Sequence, residues 1–176
     1  MAYIRQNTPR KNFNKFKEAF LYLLSRIKGD AHIGETVLLK HLYFIDFDYY
    51  EKYEKQFIGA TYMKNKYGPT PKEFAKWATI MLENGEIEVR ERKYHGYTQK
   101  SYKAIREPDY SKLDKEEIRL IDNVVKKLHG KDARQISTYS HEDVPWLSAE
   151  NGDIIEYESV FYRLPPYSVK EYDKSI

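Results

Sequence analysis

Hydrophobic positions along the chain fall into several amphipathic blocks and one block that is apolar almost all round. Phe13, Phe16, Phe20, Leu23, Leu24 and Ile27 recur at helical spacing behind a capping Asn12 or Asn14, and Gly29 ends the run. From Glu35 to Tyr53, eleven of nineteen residues are apolar or aromatic. Val37, Leu38, Leu42, Ile45 and Tyr49 form one stripe, while Leu39, Tyr43, Phe47 and Tyr50 form a second. A helix that is apolar over most of its circumference must be enclosed by other elements, so this one is expected at the centre of the fold.

Beyond it, residues 56–66 alternate as a short strand does, and Gly68, Pro69 and Pro71 punctuate the chain. A third helix is expected over 70–84, carrying Phe74, Trp77, Ala78, Met81 and Leu82. Ile87, Val89 and residues 100–105 then flank Tyr94-His95-Gly96-Tyr97, the signature of a β-hairpin. Asp114 caps a fourth helix with Ile118, Ile121, Val124, Val125 and Leu128 on one face, and a shorter helix is expected over 133–139. Ile154, Ile155, Val160 and Phe161 would cover the core, and the segment after Leu164 reads as a loose tail. The expected fold is α+β and mostly helical. It is a single compact domain with a central buried helix, a small β-hairpin and the element order of a winged helix.

Length agrees with one domain: 176 residues can bury about 70% of the surface the unfolded chain exposes. The absence of cysteine removes disulfides, thiolate metal sites and a cysteine nucleophile. No stretch approaches the ~20 continuous apolar residues of a membrane span, and the first eleven residues lack a secretory core, so the chain reads as cytoplasmic with no membrane partner. Net charge is only +3, but residues 1–30 are basic and residues 132–162 acidic. Seventeen tyrosines suit recognition surfaces and half-buried positions alike.

Candidate chemistry is sparse. The five histidines make no paired metal-ligand spacing, and the chain has neither a nucleophile elbow nor a glycine-rich phosphate loop. His141-Glu142-Asp143 is explained more simply as capping ahead of Pro145 than as a divalent site. The reading is of a non-enzymatic protein without cofactor or metal. The winged-helix order raises nucleic-acid binding as an alternative, with Lys72 and Lys76 on the third helix and Arg90, Arg92, Lys93, Lys100 and Lys103 on the wing. That helix offers no Arg, Asn or Gln before Asn84 to read base edges, so a protein partner is preferred.

Four motifs follow one another at fitting separations: LLKHLYFIDFDYYEKY at 38–53, GATYMKNKYGPTPKEF at 59–74, LENGEIEV at 82–89 and SHEDVPW at 140–146. Together they resemble the Panacea domain, the family of SocA-like antitoxins also described as phage-associated GepA-like proteins. The resemblance covers a domain at 12–163, leaving 1–11 and 164–176 as terminal extensions. Leu42, Tyr43 and Phe44 match its hydrophobic core signature, Gly68 and Pro69 its Gly-Pro turn, and Ser140, His141, Pro145 and Trp146 its closing motif. Glu54 stands where the family often has glycine after the central helix. The resemblance implies an antitoxin that neutralises a cognate protein toxin by direct binding, with presentation of the toxin to a ClpXP-type protease as a second route. The toxin surface is expected on Tyr62, Lys64, Lys66 and Tyr67 together with Arg92, Tyr94, Tyr97 and Tyr102 of the wing.

Overall fold

The computed structural model describes residues 11–30 and 33–170. Helix α1 (Phe13–Arg26) begins where the Asn12 side chain accepts a hydrogen bond from the Lys15 amide. Helix α2 (Glu35–Tyr53) is buried from Leu42 through Glu51 without a break. Its neighbours are helix α4 (Lys115–Leu128), helix α5 (Ala133–His141), strand β2 (Gly68–Pro71) and a 3-10 segment at Tyr157–Tyr162. The enclosure expected from its apolar circumference is therefore present on every side.

Helix α2 ends on Glu54, whose backbone is left-handed at φ 55° and ψ 29°. Glycine takes this conformation without the steric cost a β-carbon brings. The chain then wraps closely over Asp46, whose carboxylate accepts from the amides of Ile58, Gly59 and Ala60 and from the Tyr62 hydroxyl at 2.7 Å. One buried acid thus fixes the path of the whole connection after the helix.

Strand β1 (Tyr62–Asn65) pairs antiparallel with β2, and helix α3 (Phe74–Glu83) follows. The expected strand over 56–66 shrinks to four residues because residues 58–60 are held by Asp46 instead. The expected helix over 70–84 starts late for a related reason: Thr70 and Pro71 are paired with Met63 and Tyr62 in the small sheet. Strands β3 (Ile87–Tyr94) and β4 (Tyr97–Ala104) form the hairpin, turning on His95 and Gly96 with φ of 46° and 82°. Two successive positive values are those of a type I′ turn, whose twist matches the flanking strands. Helices α4 and α5 each open with a capping box, Asp114 with Glu117 and Asp132 with Gln135. Helix α6 (Val144–Ser148) carries Pro145 in its first turn.

The acids of α2 are satisfied from the far end of the sequence. Arg163 is wholly buried, with Nη1 2.7 Å from Asp48 and 3.0 Å from Glu51, and its other edge is bidentate on Asp143 at 2.9 and 2.7 Å. Lys127 donates to the second oxygen of Asp48 at 2.6 Å and Tyr43 to Asp143 at 2.9 Å. The tail expected to be loose is tied to the same cluster as far as residue 170. Ser168 and the Val169 amide donate to Glu51, and Tyr167 stacks on Tyr139 with ring centroids 4.7 Å apart. Residues 171–176 of that expected extension lie outside the described residues.

Two outcomes follow from these contacts. Arg163→Met leaves three carboxylates buried without their guanidinium and should cost about 3–5 kcal/mol in urea unfolding at pH 7; a loss below about 1 kcal/mol would contradict the cluster's importance. Glu54→Gly relieves the left-handed backbone and should raise stability by about 1 kcal/mol, seen as a higher melting temperature at unchanged cooperativity.

Candidate functional site

The three motif segments come together at one place. The Lys40 side chain leaves α2 just before Leu42-Tyr43-Phe44 and runs beneath the Gly68-Pro69 turn. A β-carbon on Gly68 would lie 2.6 Å from Lys40 Cε, 3.1 Å from its Nζ and 3.4 Å from Ser140 Oγ. Gly68 also has φ of +126°, so the backbone requires glycine here and a larger residue would also displace the end of the Lys40 side chain. On the far side, the His141 ring stacks on Trp146 at 4.4 Å and nearly parallel, and Lys64 Nζ stands 4.9 Å over the Trp146 ring.

Polar satisfaction in this cluster is uneven. Ser140 Oγ donates to the Ser137 carbonyl at 2.8 Å, and Lys64 donates to the carbonyls of Trp146 and Ala149, both at 2.9 Å. That cation closes the C-terminal end of α6, where carbonyls are otherwise unpaired. Lys40 is only 2% exposed, and its one hydrogen bond is a long 3.4 Å contact to Thr36 O in its own helix. No carboxylate of a described residue lies within ion-pair distance of it. Burial without a counter-charge pushes its amine down to about 8. The His141 Nε2 is buried with no hydrogen-bond partner. Burial lowers the tendency of that ring to protonate, and the charges of Lys40 and Lys64 lower it further.

The residues expected to meet a partner separate into two groups. Tyr62 is 1% exposed, with its hydroxyl held by Leu42 O and Asp46, so it is a core residue and not a surface anchor. Period-two alternation does carry one side of β1 inward, but Tyr62 lies on that inner side. Lys64 has its ammonium committed to the two α6 carbonyls. Tyr102 packs edge-on to Phe20 and Phe74 and donates to Glu35 at 2.6 Å, pinning the hairpin base to α1, α2 and α3. These three serve the fold. Lys66, Tyr67, Arg92 and Tyr97 are exposed, and the Tyr94 side chain lies outside the described residues.

Helix α5 links the exposed group. Ser137 Oγ donates to Tyr67 O at 3.4 Å, while Asp132, Ala133 and Arg134 line a groove of about 590 Å³ with Tyr97, Thr98 and Lys100 of the hairpin tip. Ala133 and Ser137 are one turn apart, roughly 6 Å along the axis. Tyr67 at 71% exposure and Tyr97 at 76% therefore flank the first turns of the same helix. The motif residues Leu42, Tyr43, Phe44, Gly68, Pro69, Ser140, Pro145 and Trp146 are all buried, and His141 is half-buried. Lys40 and Arg163 are the buried cations that the sequence reading did not single out.

The model of the family described as antitoxin SocA-like, Panacea domain, matches residues 38–147. No curated protein and no solved structure matches the chain.

The burial of Lys40 has a signed consequence for stability. The folded amine loses its proton near 8 and the unfolded one near 10.5, so between those values the unfolded chain holds more protons and stability contributed through this group rises with pH. Lys40→Met removes the buried charge. The variant should exceed the parent in stability at pH 7, and the difference should shrink as pH approaches 10; a constant difference in urea titrations would refute the assignment.

Proposed function

The chain belongs to the SocA-like antitoxin family, Panacea domain, and on that premise we propose that it neutralises a cognate protein toxin by direct binding, through a face built on α5 and its flanks. The observation that carries the reading is the pair of exposed tyrosines, Tyr67 and Tyr97, standing on either side of α5 above a groove. Tyrosine gives large contact area with few rotatable bonds, which is why it recurs at interface hot spots. Lys66, Arg134 and Lys100 surround the pair with exposed positive charge suited to steering an acidic partner. The interior supplies a rigid support for such a face, because the turn before Gly68 and the hairpin base are both anchored in the core.

The nucleic-acid alternative has weaker support. Helix α3 turns Phe74, Trp77, Ala78 and Met81 inward and leaves Ala75, Lys76 and Thr79 outward, with Lys76 the one long donor among them and no Arg, Asn or Gln beside it. On the wing, Arg90 is paired with Glu88 at 3.2 Å. Delivery to a ClpXP-type protease differs from simple binding in one measurable respect, since the toxin would disappear instead of accumulating in an inert complex.

The test is expression of the neighbouring reading frame alone and then with this chain: growth arrest followed by rescue, with toxin still present, is the expected result. In the purified pair, Tyr67→Ala and Tyr97→Ala should each weaken binding by about tenfold or more without lowering the melting temperature, because both side chains are exposed. Wild-type affinity in both variants would rule out this face.

A further inference from the structure

The cluster under the Gly68 turn has cations and donors but lacks an anion. Lys40 Nζ is buried, faces no carboxylate of a described residue and makes a single long bond within its own helix. The His141 Nε2 is buried and unpartnered, its ring feels the Lys40 charge, and Ser140 Oγ lies with the Lys40 side chain under Gly68. Thr61 Oγ1 is the other buried side-chain atom without a partner among the described residues. It belongs to a neutral hydroxyl, whereas Lys40 is a charge left without compensation. Every other deeply buried ionic group described above has an opposite charge or several amides against it. A buried ammonium with no counter-ion is costly to hold, and a carboxylate brought to it would be bound in a site of low dielectric.

We propose that Lys40, with the Nε2–H of His141, forms the receptor for a carboxylate, supplied by an aspartate or glutamate side chain of the toxin. One carboxylate oxygen accepts from Lys40 Nζ and the other from His141 Nε2–H, the tautomer that leaves Nδ1 without a proton. Lys64, already fixed over Trp146, adds positive potential from the opposite side. The site is closed in the free chain, and entry lies beneath Tyr67 in the exposed turn. That turn's side-chain tether to α5 is the 3.4 Å bond from Ser137 to Tyr67 O, long enough to yield to a partner docking on Tyr67. The toxin-binding surface and the buried receptor are then two layers of one site, with Tyr67 engaging first and Lys40 below it. The proposal rests on the toxin-binding reading for its occupant, but the receptor itself is a property of this chain.

Two measurements separate those claims. In the first, the free chain is titrated with sodium formate against sodium chloride at equal ionic strength. The expected result is a shift of the His141 ring nitrogen signals and a rise in melting temperature in the parent chain, both absent in Lys40→Met. No formate response in the parent overturns the receptor whether or not a toxin binds, and an equal response to phosphate overturns its assignment to carboxylates. In the second, affinity for the toxin is measured for Lys40→Met, whose unbranched, uncharged side chain is one atom shorter, follows the same path and keeps the chain folded. A loss of at least about tenfold is expected, as for truncating one partner of a buried charge pair. One acidic residue of the toxin, changed to its amide, should give the same loss and add nothing in the Lys40→Met background. Unchanged affinity, or additive losses for every acid tested, overturns the proposal. Failure of the parent chain to bind any neighbouring gene product while the formate response persists would instead remove the antitoxin reading and leave the receptor standing.

Discussion

The buried guanidinium of Arg163 is the contact on which the architecture depends. Helix α2 is nearly continuous apolar surface, yet it places Asp46, Asp48 and Glu51 in the interior. Three acids on one enclosed helix would not remain ionised without compensation, and the fold meets them in two ways. Asp46 is held by amides and hydroxyls from the chain that follows the helix. Burial still outweighs those bonds and pushes its carboxyl up to about 6. Asp48 and Glu51 meet Arg163, which also grips Asp143 at the start of α6. A single side chain thereby closes the C-terminal segment over the central helix and fixes α6 against both.

That closure explains why the closing motif sits where it does. Asp143 precedes Val144 and Pro145, so the bidentate arginine sets the origin of α6 and hence the height of Trp146. Trp146 in turn offers one face to His141 and lies beneath Lys64. The Gly-Pro turn, the aromatic pair and the Lys40 side chain are positioned by an ionic cluster one layer away, whose acids and guanidinium are buried. A second cluster does similar work at the other end of the molecule. There Arg106 joins Glu18 of α1 to Glu86 before the hairpin at 2.8 and 2.6 Å, so the wing is fastened to the first helix as well as to the core.

Much of this was legible in the residues. The all-round apolar pattern of α2, the capping residues Asn12 and Asp114, and the Tyr-His-Gly-Tyr hairpin turn are local signals, and local signals act within a turn or two of chain. Arg163 escaped because its partners lie up to 115 positions away and because it precedes Leu-Pro-Pro, which reads as an exit from the fold. A signal did exist: Asp48 and Glu51 are spaced by three on a helix with no polar face, which demands a buried cation from elsewhere. Tyr62 was misplaced for a subtler reason. Alternation tells which residues share a side of a strand but not which side faces in, and Asp46, 16 positions back in the chain, decides it.

Lys40 and Lys64 make the same point about charge. Both are lysines close to the Gly-Pro turn, Lys64 in a segment that reads as basic and exposed and Lys40 on the apolar central helix, and both turn inward. Lys64 reaches two carbonyls at the end of α6 and stacks over a tryptophan, so its ammonium has the donors' full complement of nearby acceptors and stabilises the helix it caps. Lys40 reaches only its own helix at 3.4 Å and lies against a glycine that could be nothing larger. A fold able to supply Arg163 to three acids and two carbonyls to Lys64 is well able to supply an acid to Lys40. A methionine there would keep the packing and avoid the electrostatic cost altogether. The charge of Lys40 thus gives folding nothing that a methionine would not, and this is the ground of the carboxylate receptor proposed above.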